Sequence, residues 1–189
     1  REHLADAVTG CLNTAADADK PDAEWVCDCS PDPVSNPERP LVPGAPVILL
    51  VRDGRDVLVS MTLRYLREDS DKMLAVAPGM AAIRDAYQAD PESVVAEPGT
   101  LLPDETWVRN RARHWADRVL ADLDALDALA ESGTPTLLLR YEDLHADTLA
   151  GRDACYRLLG LDPTEAAPIS ADSKTTAGFD RGEDLTSHY

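Results

Sequence analysis

Arg52, Asp53, Arg55 and Asp56 put two guanidinium groups and two carboxylates at the end of the apolar run VILLV, residues 47–51, and Ser60 follows eight residues after Arg52. An arginine offers a bidentate fork to phosphate or sulfate oxygens, and a hydroxyl fixes one more oxygen, so Arg52 with Ser60 suits a phosphate monoester. A surface turn whose four charges pair among themselves uses the same residues, and composition alone favours that plainer reading. A second charged knot, Tyr141, Glu142 and Asp143, closes the apolar run TLLLR. By type these three also suit a strand-end aromatic followed by a helix-capping pair. Asp28, in the short run EWVCDC, fits a solvated aspartate entering a proline turn.

The other reactive side chains offer less. Cys27 and Cys29 are too close together and too isolated for a metal site without two further ligands, and with Cys11 and Cys155 they match neither a zinc ribbon nor a disulfide scaffold. They read as reduced thiols in a cytoplasmic protein, and no metal is assigned. His3, His114, His145 and His188 are scattered singly, as surface or half-buried histidines usually are.

Elements of alternating type must position these groups. Residues 1–16 place Leu4, Val8, Cys11 and Leu12 on one helical face, and a proline-rich loop, SPDPVSNPERPLVPGAP, then delivers the chain into VILLV. That run has the length and branching of a strand buried on both faces. Residues 55–67 read as a helix on Val57, Val59, Leu63 and Leu66, with Asp53 or Gly54 at its start. Between 70 and 104 the periodicity weakens among turn signals, which suggests a variable insertion or lid. Residues 105–131 carry the longest helical stripe, Trp115, Val119, Leu123, Leu126 and Leu129, with Gly133 and Pro135 just past its end. TLLLRY follows as a second strand, and ADTLAGRDACYRLLGL as a last helix. Strands alternating with helices predict one α/β domain over residues 1–189, a parallel sheet flanked by helices.

The charged strand end resembles the 3′-phosphate-binding segment of the sulfotransferase superfamily: LVRDGRDVLVSM matches an apolar strand, Arg-Asp-x-Arg-Asp, an apolar pair and a serine, with Gly54 where many members have proline. By that resemblance Arg52 and Ser60 bind the 3′-phosphate of 3′-phosphoadenosine 5′-phosphosulfate (PAPS), the co-substrate. LLLRYEDLHAD is similar to the family's strand ending in Tyr-Glu-Asp-Leu, which puts Tyr141 beside the adenine. YRLLGLD and SKTTAGFDRGEDLTSHY extend the match in the family's order.

The resemblance implies a P-loop NTPase-like sulfotransferase fold, incomplete at both ends. The loop Pro-Lys-Ser-Gly-Thr-Thr-Trp-Leu, which holds the 5′-phosphosulfate, and the final Arg-Lys-Gly segment have no counterpart in this sequence. A fragment without that lysine is expected to be inactive, because preorganised positive charge dominates group transfer; the complete protein would move a sulfuryl group from PAPS to a hydroxyl or amine. Where cytosolic members carry a histidine base, Cys29 stands; carbohydrate-type members carry a glutamate, against which Asp28 is the candidate. The acceptor is a small molecule or a carbohydrate. Two other readings stay open: a small-molecule kinase or other P-loop transferase, and a non-catalytic nucleotide-binding or interaction domain. The formal net charge of -17 disfavours nucleic acid and anionic membrane surfaces as partners, and no stretch is long and apolar enough to span a bilayer.

Overall fold

The computed structural model describes residues 33–38, 41–67, 80–96, 98–102 and 105–165. Strand β1 (Val47–Val51) leads into helix α1 (Gly54–Arg67). Helices α2 (Met80–Ala89), α3 (Pro91–Ala96) and α4 (Pro98–Leu101) precede the long α5 (Glu105–Glu131). Strand β2 (Thr136–Arg140), α6 (Tyr141–Ala146), α7 (Thr148–Leu158) and a 3-10 turn (Pro163–Glu165) complete the order. The fold is mixed α/β and mostly helical. β1 and β2 pair in parallel, Val47 opposite Thr136 through to Val51 opposite Arg140, so both strands end on the same side. The predicted first helix, Asp28 and the C-terminal SKTTAGFDRGEDLTSHY lie outside the described residues.

α5 ties the two halves of the core together. Its 27 residues extend roughly 40 Å at 1.5 Å per residue. The C-terminal half sets Leu123, Leu126 and Leu129 against Val47, Leu49 and Val51 of the sheet, while Trp107 and Val108 near its start pack with Leu58, Leu63 and Leu66 of α1. Buried Asp122 accepts a hydrogen bond from the Ser35 backbone N–H at 2.8 Å, fastening the loop of residues 33–38 to the helix. α5 stops where the sequence says it should. Gly133 adopts φ 86°, and Gly133 and Thr134 donate backwards to the Ala130 and Leu129 carbonyls in a Schellman ending. α7 ends in the same way at Gly160, whose φ is 71°.

Two expectations are corrected. The segment expected to be an insertion or lid instead contributes Met80, Val94 and Leu101 to the buried cluster around α1. Its prolines were read as turns, but Pro91 and Pro98 each occupy a helix's first position, where a missing N–H costs nothing, and the Asp90 side chain caps α3 by accepting from the Ser93 N–H. β1 is also less enclosed than its composition predicts. Leu49 is buried under α5, whereas Ile48 and Leu50, pointing to the other face, are 39% and 50% exposed. Among the described residues, α5 is the helix packed against β1, and it covers the Leu49 face.

Within α1 the buried face is Leu58, Thr62, Leu63 and Leu66, with Val57 and Val59 half-buried. Thr62 is wholly buried because its hydroxyl donates to the Leu58 carbonyl at 2.9 Å, satisfying its polar atom one turn back.

Candidate functional site

Both charged knots converge at the carboxyl ends of the paired strands, the place where open parallel sheets hold ligands. Asp53 starts α1: its carboxylate accepts from the Arg55 backbone N–H at 2.8 Å, and its carbonyl accepts the first helical hydrogen bond from Val57 at 3.0 Å. The same carboxylate chelates the Arg55 guanidinium, with the closest contact at 2.6 Å. These bonds hold the Asp53 carboxyl down at about 2, the Arg55 side chain being the largest cause, and they raise the Arg55 pKa in return. The Asp53 backbone N–H donates to Glu142 Oε1 at 2.7 Å, and this bond depresses the Glu142 carboxyl. Glu142 therefore latches the end of β2 to the start of α1, and its carboxylate also accepts from its own backbone N–H in the first turn of α6.

Arg52 turns the other way. Its guanidinium lies over the Tyr141 ring, 4.5 Å from the centroid, and its Nε is 4.0 Å from the Asp56 carboxylate. The Arg52 side chain is only 17% exposed, so the ring and the carboxylate fix its direction. At 4.0 Å the ion pair orients the guanidinium electrostatically rather than through a direct hydrogen bond. Asp56 and Ser60 are four residues apart and share one stripe of α1, so Ser60, half-buried, lies on the side toward which Arg52 reaches. Tyr141 is the first residue of α6 rather than the last of β2, and its ring also neighbours His145, with centroids 6.3 Å apart. Comparison with protein-family models, curated proteins and solved structures finds no match. The site is thus read from its own geometry: Arg52 meets Tyr141 and Asp56, Ser60 lies one turn along α1 from Asp56, and Asp28 lies outside the described residues.

At the start of α1, sharing Arg52 with these contacts, a cleft of about 450 Å³ opens between the strand ends and α5. Val51, Leu58, Val108, Ala112, Trp115 and Ala116 form its walls, and Arg52, Asp53, Arg55, Arg140 and Glu142 its charged rim. Trp115, on the apolar stripe of α5, packs its indole against Gly54, so close that a Cβ there would fall 2.7 Å from a ring carbon. Nothing local in the sequence signals this contact, because it joins residues 61 positions apart. Among the described residues, no group of three or more His, Cys, Asp and Glu side chains is placed to hold a metal, and no helix is long and apolar enough to cross a membrane.

The depressed Asp53 carboxyl fixes the sign of an acid response. A group whose folded pKa lies near 2 against an ordinary 3.8 stabilises the fold above 3.8 and loses that contribution as pH falls through 2. Asp53→Asn keeps a capping acceptor but removes the titration and the Arg55 pair. Urea midpoints followed by circular dichroism at pH 5, 4, 3 and about 2 are expected to fall more steeply for the wild type than for Asp53→Asn. Parallel curves would show that the Asp53 pair adds nothing to stability.

Proposed function

We propose that this chain carries the nucleotide side of a PAPS-dependent sulfotransferase, with Arg52 and Ser60 receiving the 3′-phosphate and Tyr141 standing beside the adenine. One observation carries the reading: Arg52 and Tyr141, 89 residues apart, meet at 4.5 Å at the carboxyl end of a parallel strand pair. An ion-paired turn accounts for Arg52 and Asp56 but gives no reason for the aromatic ring beneath the guanidinium. A guanidinium over an aromatic ring keeps its N–H donors in its own plane, the geometry a bidentate phosphate contact uses. The half-buried hydroxyl of Ser60, on the stripe of α1 that Arg52 faces, suits a further phosphate oxygen.

In the reaction this reading implies, the acceptor oxygen or nitrogen forms a bond to sulfur as the bond from sulfur to the bridging 5′-phosphate oxygen breaks. The acceptor proton passes to a base, for which Asp28 is the proposed residue. Positioning and charge stabilisation supply most of the rate, as in phosphoryl transfer. The contribution of residues 41–165 is to anchor the nucleotide: a local set of arginines draws a polyanion to a chain whose overall field, at net charge -17, repels it.

Calorimetric titration of the full-length protein with adenosine 3′,5′-bisphosphate and with adenosine 5′-monophosphate tests the reading. The bisphosphate is expected to bind at least about tenfold more tightly, the worth of one charge-assisted contact set. Equal affinities, or binding of neither, would return Arg52 to an ion-paired turn.

A further inference from the structure

Helix α5 carries one continuous exposed face. Arg113, Asp117, Leu120, Asp124, Asp127 and Glu131 are all exposed, and at about 100° per residue they fall within roughly 80° of arc, opposite the buried Trp107, Asp122 and Leu126. Their spacing alternates between four and three, the pattern along which two helices lie against each other. Leu120, near the centre, is 61% exposed. Among the described residues no ion pair engages Arg113, Asp117, Asp124, Asp127 or Glu131. The charges of α5 are also segregated. Arg109, Arg111, Arg113 and Arg118 lie at or before its midpoint, and beyond Arg118 come Asp122, Asp124, Asp127 and Glu131 with no base among them. Acids in the last turns and no base there run against the helix dipole, so the helix taken alone gives no reason for this order.

We infer that this face pairs with the same face of a second copy, antiparallel, about a two-fold axis near the middle of α5. With the axis between residues 118 and 119, Arg113 of each copy faces Asp124 of the other and has Asp127 one turn beyond. The two Leu120 side chains then lie within one turn of each other and shield each other from water. A parallel pair would set Arg113 beside Arg113 and the acids beside one another, so the charge order selects the antiparallel arrangement. Antiparallel packing also opposes the two helix dipoles. At a net charge of -17 two copies repel at long range, but a Debye length of about 8 Å at physiological salt screens most charges other than those in contact. None of these residues belongs to the proposed nucleotide site, so the pairing does not rest on that reading.

Sedimentation equilibrium of the full-length protein at about 0.15 M salt tests the inference. The wild type is expected to dimerise with a dissociation constant of about 100 µM, as suits a small interface closed largely by exposed ion pairs. Arg113→Glu, and separately Asp124→Arg combined with Asp127→Arg, set like charges against each other and are each expected to weaken association at least about tenfold. All three positions are exposed, so the urea midpoints of both variants are expected to stay near that of the wild type. An equimolar mixture of the two variants restores opposite charges at both ends of the antiparallel pair, and is expected to form heterodimers about as tightly as the wild type forms homodimers. A wild type that stays monomeric up to about 500 µM, a dimer indifferent to Arg113→Glu, or a mixture that associates no more than its components each overturns the inference. The first of these leaves the face to solvent or to a different protein.

Discussion

Arg52→Ala is expected to weaken binding of adenosine 3′,5′-bisphosphate by roughly 100-fold or more, the usual consequence of truncating one partner of a hydrogen-bonded charge pair. The size follows from where the side chain sits. At 17% exposure the guanidinium is largely shielded from water, so a phosphate meeting it gives up little to solvent competition. Arg52→Lys distinguishes fork from charge: an ammonium keeps the sign but neither stacks as a plane on Tyr141 nor offers two parallel donors, so most of the loss should remain. Ser60→Ala removes one hydroxyl contact and is expected to cost about tenfold. All three are read by calorimetry, with the urea midpoint of each variant measured alongside. If Arg52→Ala lowers the midpoint but leaves nucleotide affinity unchanged, the residue serves its contacts with Asp56 and Tyr141 and no phosphate.

Gly54→Ala is expected to destabilise the fold by about 1–3 kcal/mol, the range for forcing a methyl group into a well-packed contact. An alanine elsewhere in a helix would gain up to about 1 kcal/mol over glycine, so the expected loss runs against propensity. The clash decides it. A Cβ at position 54 would stand 2.7 and 2.8 Å from two carbons of the Trp115 ring, and a fused aromatic has no flexible tip to move aside. In this chain glycine and tryptophan thus form a matched pair. Trp115→Leu should relieve the collision, making the double variant less destabilised than the sum of the singles by roughly 0.5–3 kcal/mol. Urea unfolding of the four proteins closes the cycle. A stabilised Gly54→Ala protein would place the indole elsewhere.

Sequence reading reached the elements whose signals are local. The β-branched run 47–51, the stripe from Trp115 to Leu129, the glycine at 133 and the final helix through Leu158 all appear where periodicity and ending residues predict them. The residues 80–102 were not legible in the same way. Each helix there is short, each of the last two opens on proline, and the apolar positions that matter, Met80, Val94 and Leu101, are spaced by the shape of the cluster they fill rather than by one helical period. At the site, the arginine, serine and tyrosine were visible as motifs. The Glu142 latch and the Trp115 wall were not, since each depends on contacts made only when distant parts of the chain are already in place. The predicted burial of both faces of β1 failed for a related reason: composition reports that Ile48 and Leu50 are apolar, but not whether a neighbouring element reaches them.

The bond from the Asp53 N–H to Glu142 closes a loop of 89 positions, as does the strand pairing beside it. Contacts of such separation form late, because closure entropy must be met before packing rewards it, and a parallel pair has no tight hairpin to nucleate it. The helices 80–131 can collapse on α1 through nearer contacts, whereas the junction of Arg52 with Tyr141 exists only after the whole crossover has docked. A ligand bridging those two residues would therefore bind an assembled chain and ignore a half-folded one. It would slow unfolding most where the strand ends part, and its presence during refolding would draw the last closure forward by mass action.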